Sequence, residues 1–246
     1  MTSPRTPQTR WLGGSLERQD VVGSTMEACA AAARAGAPDG HVVIARRQTA
    51  GRGRTGCAWH SADDGGLYLS LLLRGFVSPG AARGLTLAAG LGVGEAVRRL
   101  GVPTVTLKWP NDVLVGGRKV AGILAEWSGE DAVIVGVGLN VSQPGFPAEL
   151  SGIATSVALA SGRNVDTEAA LEVLLDALAE AFDAFRREGL PWAVREWTAR
   201  TGLWGRRARA AGVDGTLLRL EPDGSLIVRC DDGRERTITA DAVDLL

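Results

Sequence analysis

Residues 42–59 of this chain read VVIARRQTAGRGRTGCAW. Four arginines and three glycines fall within the eleven residues 46–56, and no carboxylate occurs from Gly40 to Ala62. Glycine lets the backbone approach a ligand closely, and the arginine guanidinium is a rigid set of donors that suits phosphate or carboxylate. Apolar runs at 42–45 and 67–73 flank the loop, which predicts that two strands hold it. We therefore predict an anion-binding loop; composition alone leaves a flexible basic surface loop as the alternative.

The pattern on either side of this loop predicts a domain of mixed helices and strands. Segments with apolar residues at helical spacing alternate with shorter runs bounded by turn residues. The predicted helices are 24–34, 79–101, 167–187 and 191–200, and the predicted strands are 41–48, 67–74, 104–109, 113–115, 120–127 and 132–141. Gly116-Gly117 is expected to turn a hairpin. Residues 132–141 are mostly apolar and are expected near the centre of the sheet.

The two ends of the chain differ from this central part, which we place at residues 15–202. Residues 1–14 are polar and are predicted to form a disordered tail. Near the C-terminus, three short β-like runs are separated by tight turns, which predicts a small β-barrel over residues 203–246. A unit of that size cannot build a generous core, so we expect it to be docked on the main domain.

Composition bounds the possible functions. The chain has 246 residues, of which 45% are hydrophobic and 22% charged, with a net charge of −1. That balance argues against non-specific nucleic-acid binding, which depends on a basic excess. No segment approaches the ~20 apolar residues of a membrane span. Three widely spaced cysteines fit neither a disulfide framework nor a metal site and indicate a reducing compartment, so a cytoplasmic protein is expected.

Three further motifs follow the arginine loop in order. They are Lys108-Trp109-Pro110-Asn111-Asp112, then Gly116-Gly117-Arg118-Lys119-Val120-Ala121-Gly122, then Val135-Gly136-Val137-Gly138-Leu139-Asn140. Together with Ser24-Thr25 and the arginine loop, these motifs resemble the biotin protein ligase family, biotin–[acetyl-CoA-carboxylase] ligase. The likeness runs from about Ser15 to the C-terminus. Its most specific part is the Lys-Trp-Pro-Asn-Asp block followed by Arg-Lys-x-x-Gly.

This resemblance implies an α+β fold, in which a mixed-sheet catalytic domain like that of class II aminoacyl-tRNA synthetases and biotin ligases carries a small C-terminal Src-homology-3-like β-barrel. It implies ATP-dependent conversion of biotin to biotinyl-5′-adenylate, followed by transfer of biotin to a lysine in the biotin carboxyl carrier domain of an acyl-CoA carboxylase. Mg²⁺ is expected with ATP, and its ligands stay unassigned. Whether the protein is a monomer or a weak homodimer is left open.

The first group of site residues is expected at the head of biotin. The resemblance implies that Ser24, Thr25 and Gln48 hydrogen-bond the ureido group. The residues alone also allow a simpler interpretation, because Ser24 and Glu27 match a capping box in which each side chain bonds the other's backbone N–H. The family commonly has Asn where this chain has Met26, which argues against a direct polar role for that side chain.

The second group lies in the arginine loop. The resemblance implies that Arg52 and Arg54 bracket the phosphate and the adenylate, with the amides of Gly51 and Gly53 facing the carboxylate. Trp59 is expected to form a wall for the valeryl chain of biotin. From sequence, an aromatic side chain that simply plugs the space under the loop is an equal alternative.

The third group is expected at the reacting carboxylate. Lys119, in Arg-Lys-x-x-Gly122, is assigned to bridge the biotin carboxylate and the α-phosphate, whereas an unaided reading makes it a solvated surface lysine. Lys108 and Asn111 are assigned to binding, and Asp112 either to orienting the incoming lysine amine or to holding Mg²⁺. Asn140 is expected to meet the adenine or the phosphates. The glycines before it permit close approach or mark a bulge.

Three alternatives compete with the ligase assignment. A lipoate or octanoyl ligase resembles the same catalytic fold, but the glycine-arginine loop with Lys-Trp-Pro-Asn-Asp favours biotin. A biotin-sensing repressor requires an N-terminal winged helix of roughly 60 residues, and only about 14 residues precede the first strand. A non-catalytic carrier-binding module conflicts with an intact Lys119 and arginine loop. His41 is read as structural, and His60 is expected to border the loop.

Overall fold

A computed structural model describes residues 11–61, 65–76, 81–129, 131–240 and 242–246. The elements of the main domain are β1 (Leu16–Val22), α1 (Thr25–Arg34), β2 (Val42–Gln48), β3 (Gly66–Arg74), α2 (Ala81–Arg99), β4 (Thr106–Lys108), β5 (Asp112–Val115), β6 (Arg118–Trp127), β7 (Ala132–Asn140), α3 (Val157–Ser161), α4 (Thr167–Glu188) and α5 (Leu190–Arg200). The predicted α+β class is confirmed. Within the described ranges, no helix is long and apolar enough to cross a membrane.

The main sheet has seven strands in the order β1-β2-β3-β7-β6-β5-β4. Only β1 and β2 pair in parallel; the other neighbours are antiparallel. The predicted central strand is confirmed, because β7 lies fourth of the seven. The predicted hairpin is also confirmed: Val115 pairs with Arg118 across Gly116 and Gly117, both at positive φ, as a tight two-residue hairpin turn requires.

The two faces of this sheet are covered unequally. Residues of alternating positions on β3, β6 and β7 point to the face covered by α2 and α4, where they form the larger core. The opposite face carries a smaller cluster beneath α1, which includes Met26, Val43, Leu72 and Ile134. Because α1 has only ten residues, it covers only part of this face and leaves the rest for a cavity.

The disordered tail predicted for residues 1–14 extends too far along the chain. Residues 1–10 lie outside the described part of the chain, but residues 11–14 are folded. Leu12 is fully buried in the larger core, and Gly13 donates its backbone N–H to the carbonyl of Gly40 at 2.9 Å. The guanidinium of Arg186 stacks on the Trp11 ring, 4.3 Å from its centroid. The apolar pair Trp11-Leu12 therefore belongs to the domain despite its polar neighbours.

The C-terminal strands form a separate sheet. They are β8 (Arg207–Ala210), β9 (Val213–Leu220), β10 (Leu226–Cys230), β11 (Glu235–Ile238) and β12 (Val243–Leu245), in the antiparallel order β11-β10-β9-β8-β12. Among the described residues β11 and β12 do not pair, so this sheet is open and its closure into a barrel remains a prediction. The three predicted strands match β9, β10 and β11, while β8 and β12 were missed.

The C-terminal sheet is docked on the main domain, as expected for a small unit. The indole N–H of Trp109 donates to the carbonyl of Gly224 at 3.0 Å, in the turn between β9 and β10. Arg83 of α2 donates to the Asp223 carbonyl at 3.1 Å and lies 3.3 Å from its carboxylate. Since Trp109 is almost fully buried, this contact joins one of the sequence motifs to the second sheet.

Candidate active site

The site begins where β7 changes from apolar residues to glycines. Ala132 and Ile134 fill the space beneath α1, whereas Gly136 and Gly138, on the same face, have no side chain to do so. β7 pairs with β3 and β6 without a register shift here, so the glycines do not mark a bulge. They form the floor of a trough along the uncovered part of the sheet.

Two large side chains lie over this trough. A Cβ added at Gly136 would lie 2.7 Å from the Sδ atom of Met26, and one added at Gly138 would overlap the Trp59 indole. Gly122, on β6, faces the same indole, with a hypothetical Cβ at 2.7 Å from its Cζ3 atom. Each glycine is therefore required by a side chain that packs directly on the backbone. Trp59 forms a wall of the trough and fills the space under the loop, and its role as a wall for the valeryl chain of biotin stays a prediction.

A chain of hydroxyl and amide groups lines one end of the trough. Ser70 donates to the Thr25 hydroxyl at 2.8 Å, which in turn donates to the Gln48 carbonyl oxygen at 3.1 Å. The Gln48 oxygen also accepts from the Thr25 backbone N–H at 2.8 Å, and its amide nitrogen donates to Ser61 at 2.9 Å. This network fixes the orientation of the Gln48 amide without any external partner.

The capping box, the alternative interpretation of Ser24, is wrong. Ser24 is the N-cap residue of α1, but its side chain makes no capping hydrogen bond. Its hydroxyl is buried and has no hydrogen-bond partner among the described residues. The Gln48 side chain accepts from the Thr25 N–H at the start of α1. A buried hydroxyl without a partner costs about 1–3 kcal/mol, so Ser24 is better explained by a polar ligand in the trough than by helix capping.

The other end of the trough is charged. Lys119 Nζ lies 2.6 Å from one carboxylate oxygen of Asp112, and Lys108 Nζ lies 3.6 Å from the other. Strand pairing positions all three residues, because Lys108 is opposite Asp112 in the β4–β5 ladder and Lys119 follows the β5–β6 turn. Two cations share one carboxylate, which leaves a net charge of +1 in a partly buried place. An anion is attracted there.

Lys119 is directed by an irregularity in its strand. The β5–β6 register shifts at Val120, which has no partner on β5, and such a bulge re-aims neighbouring side chains. The Lys119 backbone also bonds the segment after β7, donating to Ile153 at 2.8 Å and accepting from Thr155 at 2.9 Å. Its ammonium lies 5.1 Å from the centre of the Trp59 ring. The lysine is thus a fixed member of the site rather than a solvated surface group.

The arginine loop folds back over the trough. Trp59 donates its backbone N–H to Gly51 at 2.9 Å, and Gly53 donates to Cys57 at 2.7 Å. Between them, residues Arg54–Gly56 form one turn of 3₁₀-helix. Arg52 donates to the carboxylate of Glu126 at 3.0 Å, across to β6. The loop is therefore tied to the sheet by an exposed ion pair as well as by its own turns.

These elements enclose two adjoining cavities. The first, of about 170 Å³, contains both the polar and the charged ends of the trough, and all the predicted residues except Gly51 and Asn140 line it. The second, of about 930 Å³, is bordered by Gly51, Asn140, His60 and the segment 146–154. Four residues line both: Gln48, Ala58, Trp59 and Lys119. Among the described residues, Lys119 is the one cationic residue that lines both cavities.

The chain is 38% identical over 247 residues to the biotin--[acetyl-CoA-carboxylase] ligase of Mycobacterium tuberculosis, an alignment that covers 95% of this chain and 90% of that protein. The chain belongs to the biotin protein ligase family. The model of the wider Biotin/lipoate A/B protein ligase family matches residues 20–140. As a member of this family the chain is a ligase.

Two further relatives support the biotin protein ligase assignment. The chain is 33% identical over 244 residues to the bifunctional ligase/repressor BirA of Bacillus spizizenii, covering 95% of this chain and 75% of that protein. Its fold superposes with a TM-score of 0.81 on a biotin protein ligase from Aquifex aeolicus in complex with biotin and ATP, at 30% identity and covering 94% of this chain and 98% of that one.

The side chains of Asn111 and Asn140 in this biotin protein ligase form hydrogen bonds to other groups of the protein. The Asn111 amide donates to the Ile123 carbonyl at 2.8 Å. The Asn140 amide donates to Thr155 at 3.0 Å, and its carbonyl accepts from Gln143 at 3.3 Å. Both positions border a cavity, so their roles toward a ligand stay predictions. Their visible contribution is to fix the backbone around Lys119, since Asn111 joins β6 and Asn140 joins the segment after β7.

Sequence reasoning missed the part of the cavity wall that lies far along the chain. Ala242 and Val243, at the start of β12, line the first cavity although they belong to the C-terminal sheet. Leu124 and Met26 supply its apolar side. Alanine, valine and leucine carry no reactive group, so no motif could identify them. The period-two pattern of β6 does place Leu124 on the same face as Gly122 and is the one available signal.

Proposed function

We propose that this protein activates biotin with ATP to form biotinyl-5′-adenylate, and then transfers biotin to a lysine in the biotin carboxyl carrier domain of an acyl-CoA carboxylase. The observation that carries this proposal is the position of Lys119 between two cavities. If biotin binds in the smaller cavity and ATP in the larger one, the biotin carboxylate and the phosphate meet at the cation between the two cavities.

The first cavity suits biotin. The head of biotin is a urea fused to a thiophane ring, and the urea both donates and accepts hydrogen bonds. Ser24, whose hydroxyl has no partner, and the fixed amide of Gln48 are the groups proposed to bind it. The valeryl chain would then run along Trp59 and Gly138, which places its carboxylate at Lys119. An apolar trough with few oriented polar groups is typical of a small-ligand site.

The second cavity is proposed to hold ATP. Phe146, Leu150 and Ile153 offer apolar surface for the adenine, and Asn140 lies at the same border. With the adenine there, the α-phosphate can approach Lys119. Arg52 and Arg54, which line the first cavity, are proposed to contact the phosphate and the adenylate. Guanidinium groups are suited to that task because their donors match phosphate oxygens in pairs.

Adenylation follows from this placement. A carboxylate oxygen of biotin attacks the α-phosphorus, the new P–O bond forms, and the bond to the bridging oxygen breaks so that pyrophosphate leaves with its electron pair. Lys119 is proposed to lie between the carboxylate and the α-phosphate and to stabilise the charge that develops on the phosphoryl oxygens. Lys108 adds a second positive charge nearby. Removing one such group typically costs 10²–10³-fold in rate.

Asp112 is proposed to act in the transfer step. Without ligand, Lys119 occupies one of its oxygens; when the adenylate draws the lysine away, that oxygen becomes available. The amine of the acceptor lysine then attacks the carbonyl carbon, the bond to AMP breaks, and AMP leaves with its electron pair. Asp112 orients the amine and takes its proton. Ala242 and Val243 line the same cavity and would contribute to excluding water.

Mg²⁺ does not fit as an ion held by the described residues. Nowhere in the described ranges do three His, Cys, Asp or Glu side chains cluster as metal ligands. The one carboxylate at the reactive end, Asp112, is already shared by two lysines, and a divalent cation beside two ammonium groups is repelled. We therefore assign Asp112 to the acceptor amine.

We also propose a role for each of the two parts of the chain. Residues 15–202 are proposed to carry catalysis, in a fold related to class II aminoacyl-tRNA synthetases. Residues 203–246 are proposed to form the small Src-homology-3-like unit that completes the cavity wall. We further propose that the enzyme acts in the cytoplasm. A monomer suffices for the chemistry, because all proposed groups lie on one chain.

Pyrophosphate release in the presence of biotin and ATP tests this function. The purified protein is expected to release one pyrophosphate per active site in a burst, and then to turn over when a carrier domain is added. Lipoate and octanoate in place of biotin are expected to release little. A preference for either of these acids over biotin would contradict the proposal, as would a lack of release with all three.

A further inference from the structure

Met26 lies on the apolar side of the first cavity and has no part in the mechanism above. Met26 is 5% exposed, and it lines the cavity directly after Ser24 and Thr25. Its thioether lies on Gly136, where a Cβ would approach Sδ to 2.7 Å. On its other side it belongs to the small cluster beneath α1. Met26 is thus the boundary between a packed core and an open cavity.

We infer that Met26, seated on Gly136, determines which head groups the cavity accepts by forming the wall against the thiophane ring. This inference rests on the proposed binding of biotin. If Ser24 and Gln48 bind the urea, the fused ring left to face Met26 presents only C–H groups and a thioether. Methionine offers no hydrogen-bond donor, so a polar group added to that ring would be buried without a partner.

The same geometry gives the wall a defined position. Methionine is flexible and fills irregular spaces, but here the missing side chain of Gly136 gives the thioether a seat on the backbone. A methyl group at position 136 would displace it, and the space available to it is the cavity itself, since the cluster behind it is buried. The side chain of residue 26 and the absence of one at 136 should therefore act as a coupled pair.

Biotin sulfone is a suitable probe, because it differs from biotin by two oxygens on the thiophane sulfur. Pyrophosphate release at saturating ATP gives kcat/KM for each compound. In Met26→Ala, the ratio of sulfone to biotin is expected to rise at least about 10-fold, the discrimination that one or two missing methylene groups can produce. Leu72→Ala is the matched control, since Leu72 is buried in the same cluster but does not line the cavity; its ratio is expected to stay within about 2-fold of wild type.

A second pair of variants tests the seat. Gly136→Ala is expected to lower kcat/KM for biotin at least about 10-fold, and the double variant Met26→Ala/Gly136→Ala is expected to recover most of that loss. An unchanged sulfone ratio in folded Met26→Ala, or a double variant no better than Gly136→Ala, would overturn the inference. Failure of the wild-type protein to release pyrophosphate with biotin would instead contradict the proposed function, so the two failures are distinguishable.

Discussion

The cations that border the first cavity fall into two groups with different supports. Lys108 lies on β4 and Lys119 on β6, and both strands pair with β5. The two lysines share the carboxylate of Asp112, whose side chain is only 14% exposed. Arg52 and Arg54 lie on a loop closed by a few turn hydrogen bonds, and Arg52 pairs with Glu126 where both side chains are more than 40% exposed. Two positive charges are thus held by strands of the sheet, and two others are carried by a loop that must close.

This difference suggests a division of labour. Stabilising a transition state requires groups that are fixed before the reaction, because reorganisation at that moment raises the barrier. Retaining a reactive intermediate requires a group that can open for the substrate and close over the product. The lysines meet the first requirement and the loop arginines meet the second. We expect substitutions in the two groups to affect different half-reactions.

Lys119→Ala is expected to have the largest effect. Adenylate formation should fall about 10³-fold, since the group proposed between two meeting anions is removed from a partly buried place. Pyrophosphate release measures this, and circular dichroism checks the fold. Arg118→Ala is the control, because Arg118 is the adjacent cation but is exposed and lines neither of the two cavities. Equal activity of the two variants would remove Lys119 from the mechanism.

Asp112→Asn is expected to affect the second half-reaction, the transfer of biotin to the carrier lysine. Transfer from preformed biotinyl-adenylate to a carrier lysine should slow by about 10²-fold or more, because the amine loses its proton acceptor. Adenylation should change much less, since both lysines remain. Single-turnover measurements of each step separate the two effects. A larger loss in adenylation than in transfer would assign Asp112 to the first step instead.

The strands that carry the rigid group were easier to predict from sequence than the cavity around it. The turn glycines 116–117 and the apolar strand 132–141 are local signals that predict the hairpin and the central strand, whereas the residues alone make Lys119 a surface lysine and only the resemblance assigned it to the site. Ser24 had two interpretations from sequence, because a capping residue and a ligand-binding hydroxyl share the Ser-x-x-Glu pattern, and only the absence of a capping hydrogen bond separates them. Ala242 was invisible because its position depends on docking between two sheets.

Arg54→Gly is expected to change the fate of the intermediate more than its formation. Adenylation should stay within about 10-fold of wild type, since Lys119 remains, whereas loss of the guanidinium should let the adenylate escape from the loop. Released mixed anhydride acylates exposed lysines, so an unrelated lysine-rich protein incubated with the variant, biotin and ATP should become biotinylated. Arg46→Gly is the control: Arg46 precedes the loop and lies 3.5 Å from Asp20, outside the lining of the first cavity. An unlabelled bystander with normal carrier modification would refute retention by Arg54.

Glu126→Gln is expected to have the smallest effect and to test the loop alone. It removes the carboxylate that Arg52 bonds at 3.0 Å, and an exposed pair of this kind is worth about 0.2–1 kcal/mol. Trypsin cleavage after Arg52 or Arg54 should therefore rise by at most about 5-fold, with no measurable change in Tm. Biotin plus ATP should abolish the difference, because the adenylate would then hold the arginines in place of Glu126. Glu180→Gln breaks the ion pair with Arg99 between α2 and α4 and should leave loop cleavage unchanged. If loop cleavage in Glu126→Gln equals that of wild type without ligand, the ion pair does not hold the loop closed.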